Sequence, residues 1–335
     1  MGRGLHSVEM KSEYMLLQLL DTLKKYKNII TRRAAILKVE DQNKTHLSLI
    51  YQYLKSKYLL TDVSAMSLLN AQRKLLYDKI NKKKFHEKLY RAHSNKLVSL
   101  KDSSTWMKYG NIDPRAEGIY CYIQDRNVFW RDNALQCQHC GKAKKSIDHL
   151  ATGCDRMLGH DYTRRHNEVL RCIHLLLANN YGFKKSKQLQ THSVQEIIEN
   201  ERAEIWVDTR IRTDILIKNN RSDIFIYDKK ENEIILVEVG ITSLDNLQIV
   251  ETEKKRKYDI LANELGLLYK AKTKIIPYVM TWDSVVTKYH RNYLKELNIT
   301  PTIEAYIQST VLKKTLETIS LEYRRNIEDD MDVRY

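Results

Sequence analysis

Three cysteines and a histidine fall within eighteen residues as Cys137-x2-Cys140-x8-His149-x4-Cys154. Thiolate sulfur and imidazole nitrogen at such spacing can wrap a tetrahedral Zn²⁺, and Gly141 and Gly153 let the chain turn tightly beside the ligands. With no fifth acidic or water-holding ligand position evident, the four predict a closed, structural zinc site. His160 and His166 are alternative ligands, whereas Cys121 and Cys172 read as structural. A module folded around the ion would present Lys142, Lys144, Lys145, Arg164 and Arg165 to a nucleic acid.

A second constellation is acidic. Asp223–Tyr227 and Ile234–Val239 read as short strands around the polar turn Asp228-Lys-Lys-Glu-Asn-Glu233. In a hairpin symmetric about the bond between Lys230 and Glu231, Asp223 faces Glu238. Opposed residues on one sheet face have Cβ atoms about 4.5–5.5 Å apart, so the two carboxylates can hold one hard cation, Mg²⁺ or Mn²⁺. The segment after Leu247 reads as a helix to about Tyr269. On its wheel Lys254 and Lys257 fall in or at the edge of the apolar sector set by Leu247, Val250, Tyr258 and Leu261, while Lys255 and Arg256 point away. A lysine on a buried face needs an acidic partner. Two carboxylates and an inward lysine are the parts needed to hydrolyse a phosphodiester: the acids hold the metal, and Lys254, or Lys257 in its place, positions the water and offsets charge on the phosphorane.

The elements that must position these residues differ along the chain. Residues 12–100 show helical periodicity without a strand signal, as expected with only three prolines and ten glycines in 335 residues. From Arg73 to Lys96 nine basic residues stand against Asp78 and Glu87, and Lys82, Lys83 and Lys84 are the natural phosphate contacts of that stretch. Residues 203–240 turn to alternating Ile, Val, Phe and Tyr, which predicts three strands at about 203–208, 223–227 and 234–239. A fourth strand is expected at 274–281, after the helix. The layout is an α+β multidomain chain: a helical, thumb-like region at 1–125, a zinc knuckle with its trailing helix at 126–182, an α/β core with a mixed sheet at 190–300, and a helical tail with an acidic end at 301–335.

In their order and spacing these motifs resemble the C-terminal part of non-LTR retrotransposon polyproteins of the restriction-like-endonuclease class, in which a zinc knuckle precedes a PD-(D/E)xK-type nuclease. Gly2–Glu9 resembles the segment beyond the polymerase core, Trp106–Gly118 the lead-in to the knuckle, and the Cys/His set with Arg165-His166-Asn167 the knuckle and its trailing helix. Trp206-Val-Asp208, Thr213-Asp214 and Asn220–Ile224 resemble the first half of the nuclease; Glu238, Lys254-x-x-Lys257-Tyr258 and Ile276–Val279 resemble the rest. Ser222 stands where the family has proline, and Gly240-Ile-Thr replaces a proline-containing turn. The resemblance implies a metal-dependent DNA endonuclease that nicks a target site for transposition. It also implies DNA and the element's RNA as partners, structural Zn, catalytic Mg or Mn, and a nuclear location.

No Tyr-x-Asp-Asp polymerase signature is present, so no reverse transcription is expected from this chain, which reads as a truncated or separately encoded piece. The net charge of +15 favours an anionic partner. No apolar run is long enough for a membrane span, and no small-molecule cofactor motif stands out. Two other readings compete: a catalytically inactive nucleic-acid-binding remnant of such an element, and a zinc-finger adaptor that binds protein. The intact Asp223, Glu238 and Lys254 set disfavours the first, and the basic excess the second.

Overall fold

The computed structural model describes residues 7–25, 46–82, 90–126, 136–186 and 188–332, and the chain divides into two compact units, 1–90 and 91–335. The first is helical. Its helices α1 (Val8–Lys25), α2 (His46–Tyr58) and α3 (Ala65–Asn81) bury Leu17, Leu54 and Leu68 around a polar hub. There Glu13 pairs with Lys57 at 2.6 Å and accepts hydrogen bonds from Tyr58 and Gln72. Of the expected phosphate contacts in this region, Lys82 is exposed at the end of α3, while Lys83 and Lys84 lie outside the described residues.

The second unit is built on a five-stranded mixed sheet in the order β1 (Ile197–Glu199), β2 (Ala203–Val207), β3 (Ile224–Asp228), β4 (Glu233–Thr242), β5 (Lys272–Thr281). The first four strands are antiparallel, and β5 runs parallel to β4. A parallel neighbour needs a crossover, which two helices supply, α9 (Leu247–Lys257) and α10 (Asp259–Leu268). Alternation along the strands feeds two cores. Ile224, Ile226, Val237 and Val239 join the core that contains Val169 and Ile173 of helix α8 (Thr163–Asn180). Phe225, Ile234 and Leu236 join the other, with Tyr258, Leu261 and Leu265 of the crossover.

The expected four strands form within about two residues at most ends, and β1 is an addition. The helix expected over 247–269 is two helices, because the backbone at Tyr258 leaves helical geometry (φ −111°, ψ 9°). The expected boundaries at 125 and 300 do not separate compact units. Short helices α4 (Leu100–Ser103) and α5 (Thr105–Tyr109) lie against the long α11 (Pro301–Asp332), where the Trp106 N–H donates to Gln308 Oε1 at 3.0 Å. Helix α6 (Pro114–Gln124) is fastened by Gln124 to the Asp283 carbonyl at 2.7 Å. The Cys/His segment, with helix α7 (Ile147–Thr152), shares the first core: Cys137, Ile147, Leu150 and Cys154 are buried there beside strand residues.

Candidate active site and metal centre

The β3–β4 register pairs Ile224 with Val237, the symmetric hairpin that the turn implied. One step further the ladder stops and side chains replace it. The Asp223 N–H donates to Glu238 Oε1 at 3.0 Å, and the Val239 N–H donates to Asp223 Oδ2 at 2.7 Å. Each acid is thus fixed by the other strand's backbone, with Glu238 only 1% exposed.

Lys254 arrives from α9 across the same sheet face. Its ammonium lies 2.9 Å from Glu238 Oε2 and 3.7 Å from Asp223 Oδ2. Gly240 makes room for it. A Cβ there would stand 3.4 Å from Lys254 Cε and 3.1 Å from a Val279 methyl, so Gly240, inside β4, marks a close approach of helix to sheet. Burial alone would lower the Lys254 pKa, but the charges of Asp223 and Glu238 outweigh it and raise the value.

A fourth group was not read from the sequence as part of this site. His166, near the start of α8, places Nε2 3.1 Å from Asp223 Oδ2. Burial would depress its pKa, yet the hydrogen bond and charge of Asp223 raise it; reciprocally, burial raises Asp223 while His166 and Lys254 bring it below the ordinary carboxylate value. Because both donors and the more distant ammonium use Oδ2, no described residue bonds Asp223 Oδ1.

Lys257 does not reach the acids. It is exposed, with Nζ 4.7 Å over the Tyr258 ring, as the last residue of α9. Lys255 and Arg256 are exposed, as their wheel positions implied.

The cysteine cluster closes as the spacing required. A ligand atom from each of Cys137, Cys140, His149 and Cys154 lies within 4.8 Å of the others; the Cys137 and Cys154 sulfurs are 3.8 Å apart, and Cys140 Sγ is 3.3 Å from His149 Nε2. The loop between the first pair turns through Gly141 at φ +63°, a left-handed geometry that glycine adopts without strain. The Lys142 N–H holds the Cys140 thiol down at about 6, with help from His149, so thiolate is available near neutrality. Three thiols and an imidazole converging at a half-buried site fit a Zn²⁺ ion. Neither alternative ligand is there: His160 pairs with Asp161, and His166 with Asp223.

Two expected nucleic-acid contacts are buried instead. Lys145 is 2% exposed and Arg165 is 1% exposed, its guanidinium donating to the Ala151 carbonyl. Arg164 pairs with Glu317 at 3.2 Å and Lys142 with Asp155 at 3.0 Å, which leaves Lys144 exposed without an ion-pair partner among the described residues. Lys145 and Arg165 therefore serve packing, while Lys142 and Lys144 stay at the surface. Consecutive positions on α8 divide the work: Arg165 holds the carbonyl two residues beyond the ligand His149, and His166 holds Asp223. Asp148, beside that ligand, accepts from Trp282 Nε1 at 2.8 Å and pairs with Arg126, tying the cluster to the end of β5. No family model matches the chain, and no curated protein matches it.

Proposed function

We propose that Asp223, Glu238 and Lys254 form a divalent-metal-dependent phosphodiesterase site on a PD-(D/E)xK-like core, and that the chain is a DNA endonuclease related to the C-terminal part of retrotransposon polyproteins. The observation that carries this reading is the convergence of two carboxylates on adjacent strands with an inward lysine, all within 4.0 Å contacts. The donor set fits Mg²⁺ or Mn²⁺, which bind through one or two carboxylates and keep waters and phosphate oxygens in the remaining positions. Asp223 Oδ1 is the oxygen left for it. When bound there, such an ion supplies polarisation of the scissile phosphate and a lowered pKa for an attacking water.

The chain's own groups do the rest. Glu238 is immobilised by the Asp223 N–H, so its carboxylate needs no rearrangement as charge develops. Lys254 holds its ammonium between the acids, where it can orient the water and meet negative charge on the phosphorane. The reaction is a hydrolysis: a P–O bond forms to water, one ester P–O bond breaks, and the products are a phosphate monoester and an alcohol. The net charge of +15 suits a nucleic-acid partner, DNA as substrate and the element's RNA as a bound companion. The Cys/His cluster, with Zn²⁺, has a structural part, since all four ligands are protein side chains.

Alanine substitution along α9 tests the reading. Lys254→Ala should lower nicking of supercoiled plasmid at least about 100-fold with DNA affinity within a few-fold, the scale of losing one preorganised electrostatic group. Lys255→Ala and Arg256→Ala should cut like the parent. Full activity in Lys254→Ala would put the wrong face of α9 against the acids and favour a nucleic-acid-binding remnant.

A further inference from the structure

The segment between β2 and β3 leads directly into Asp223, whose carbonyl accepts from the Asp208 N–H at 3.1 Å, and its outer part lies beyond the acid cluster. Its base is closed by the Ile211 N–H donating to the Asn220 carbonyl at 2.8 Å and by Arg221, which donates to the Asp208 carbonyl and pairs with its carboxylate at 2.6 Å. Ile211 and Ile217 are buried in the second core. Between these anchors the tip does the opposite: Ile215 is half exposed and Leu216 fully exposed. A tip that only had to turn would be served by Gly, Asn or Ser. Two adjacent aliphatics held in water on a pinned loop are a different choice.

Around the tip cations outnumber acids: Arg210, Arg212 and Lys218 stand against the exposed carboxylate of Asp214, which directly precedes Ile215. A recess of about 630 Å³ beside it is lined by Arg210, Lys218, Asn219, Asn220, Arg221 and Lys257. Arg210, Arg212 and Lys218 are exposed and have no ion-pair partner among the described residues, and Asp208 is already engaged by Arg221. The recess is joined to the acid cluster's framework, because the Tyr258 hydroxyl donates to the Arg221 carbonyl at 2.6 Å, at the end of the helix that carries Lys254.

We propose that this loop, Asp208 to Arg221, is a duplex-engaging element: the recess takes backbone phosphates of a DNA strand, and Ile215–Leu216 wedges between base steps and kinks the duplex beside the cleavage site. Unpaired guanidinium and ammonium groups with amide donors match phosphate oxygens. An apolar wedge flanked by cations is the combination that unstacks a base step while the phosphates on either side are held. Lys257, which does not reach the acids, lines this recess and serves there as a phosphate contact. The proposal rests on the nucleic-acid reading above, but it concerns binding and bending, which are read without cleavage.

The test is energy transfer between dyes on the two ends of a duplex of about 24 base pairs, with Ca²⁺ in place of Mg²⁺ and the full chain as titrant. Binding should bring the ends closer, in the parent and in Asp223→Ala alike. The exposed-tip variant Ile215→Ser/Leu216→Ser should still bind within about 3-fold and with the same salt dependence, while transfer stays at the value of free DNA. Arg210→Ala/Lys218→Ala/Lys257→Ala should reduce the slope of log affinity against log salt by about 2–3, from the loss of three phosphate contacts. The proposal is overturned if the serine variant bends DNA like the parent, if the alanine triple leaves the slope unchanged, or if the parent does not bind duplex. A parent that bends DNA without nicking it in Mg²⁺ would sink the endonuclease reading and leave the loop standing; a parent that nicks without bending would do the reverse.

Discussion

Asp223 and Glu238 were legible because a symmetric polar turn fixes the hairpin register, and a strand side chain has only two faces to choose from. Lys254 was legible because a helix wheel exposes a cation on an apolar face. Lys257 sits at the edge of an apolar sector drawn with Tyr258 and Leu261, which lie beyond the end of α9, and that edge turns out to be exposed. Arg165 and Lys145 were misjudged because charged side chains are almost always solvated, and nothing in their neighbourhood announces the Ala151 carbonyl or the surrounding core. His166 could not be found from spacing at all: it lies 57 residues from Asp223 and meets it only through the docking of α8. Its position defines a prediction. A group that holds Asp223 in one rotamer should be replaceable by another donor of similar reach, so His166→Gln should cut within a few-fold of the parent. His166→Ala should need about 10-fold more Mg²⁺ for half-maximal nicking at unchanged DNA affinity. Equal metal dependence in both variants would reduce His166 to a packing residue.

At the scale of elements, the long apolar strands and the amphipathic α8 were readable, whereas the three-residue β1 has no apolar run to signal it. The sequence implied a separable knuckle because its ligands are close in number, but small modules have little core of their own. Here Cys137 and Cys154 lie in the same apolar cluster as Val237 and Tyr278. Loss of the metal should therefore destabilise the whole second unit. The purified protein is expected to hold one equivalent of zinc, and Cys140→Ser to lower its thermal midpoint by roughly 6–12 °C, which corresponds to about 3 kcal/mol in a unit of this size. A two-step melt in which the sheet keeps the parental midpoint, or less than half an equivalent of zinc, would contradict that coupling.

For the molecule as a whole, the division at residue 90 leaves the acids, the Cys/His cluster and the loop from Asp208 to Arg221 in one compact unit. A site assembled from β3, β4, α9 and α8 on a single framework is preorganised, which catalysis by fixed charges requires. Among the described residues no helix is long and apolar enough to cross a membrane, and the excess of Lys and Arg, 57 against 42 acidic residues, suits the polyanionic partner proposed above. The most direct measurement is nicking of supercoiled plasmid by the full chain with Mg²⁺ or Mn²⁺, beside EDTA-treated and Asp223→Ala controls. Conversion of supercoiled to open-circular DNA should require the divalent ion and should fall at least about 100-fold in Asp223→Ala. Nicking that persists in EDTA, or an Asp223→Ala variant that cuts like the parent, would show that the paired carboxylates are not a catalytic metal site.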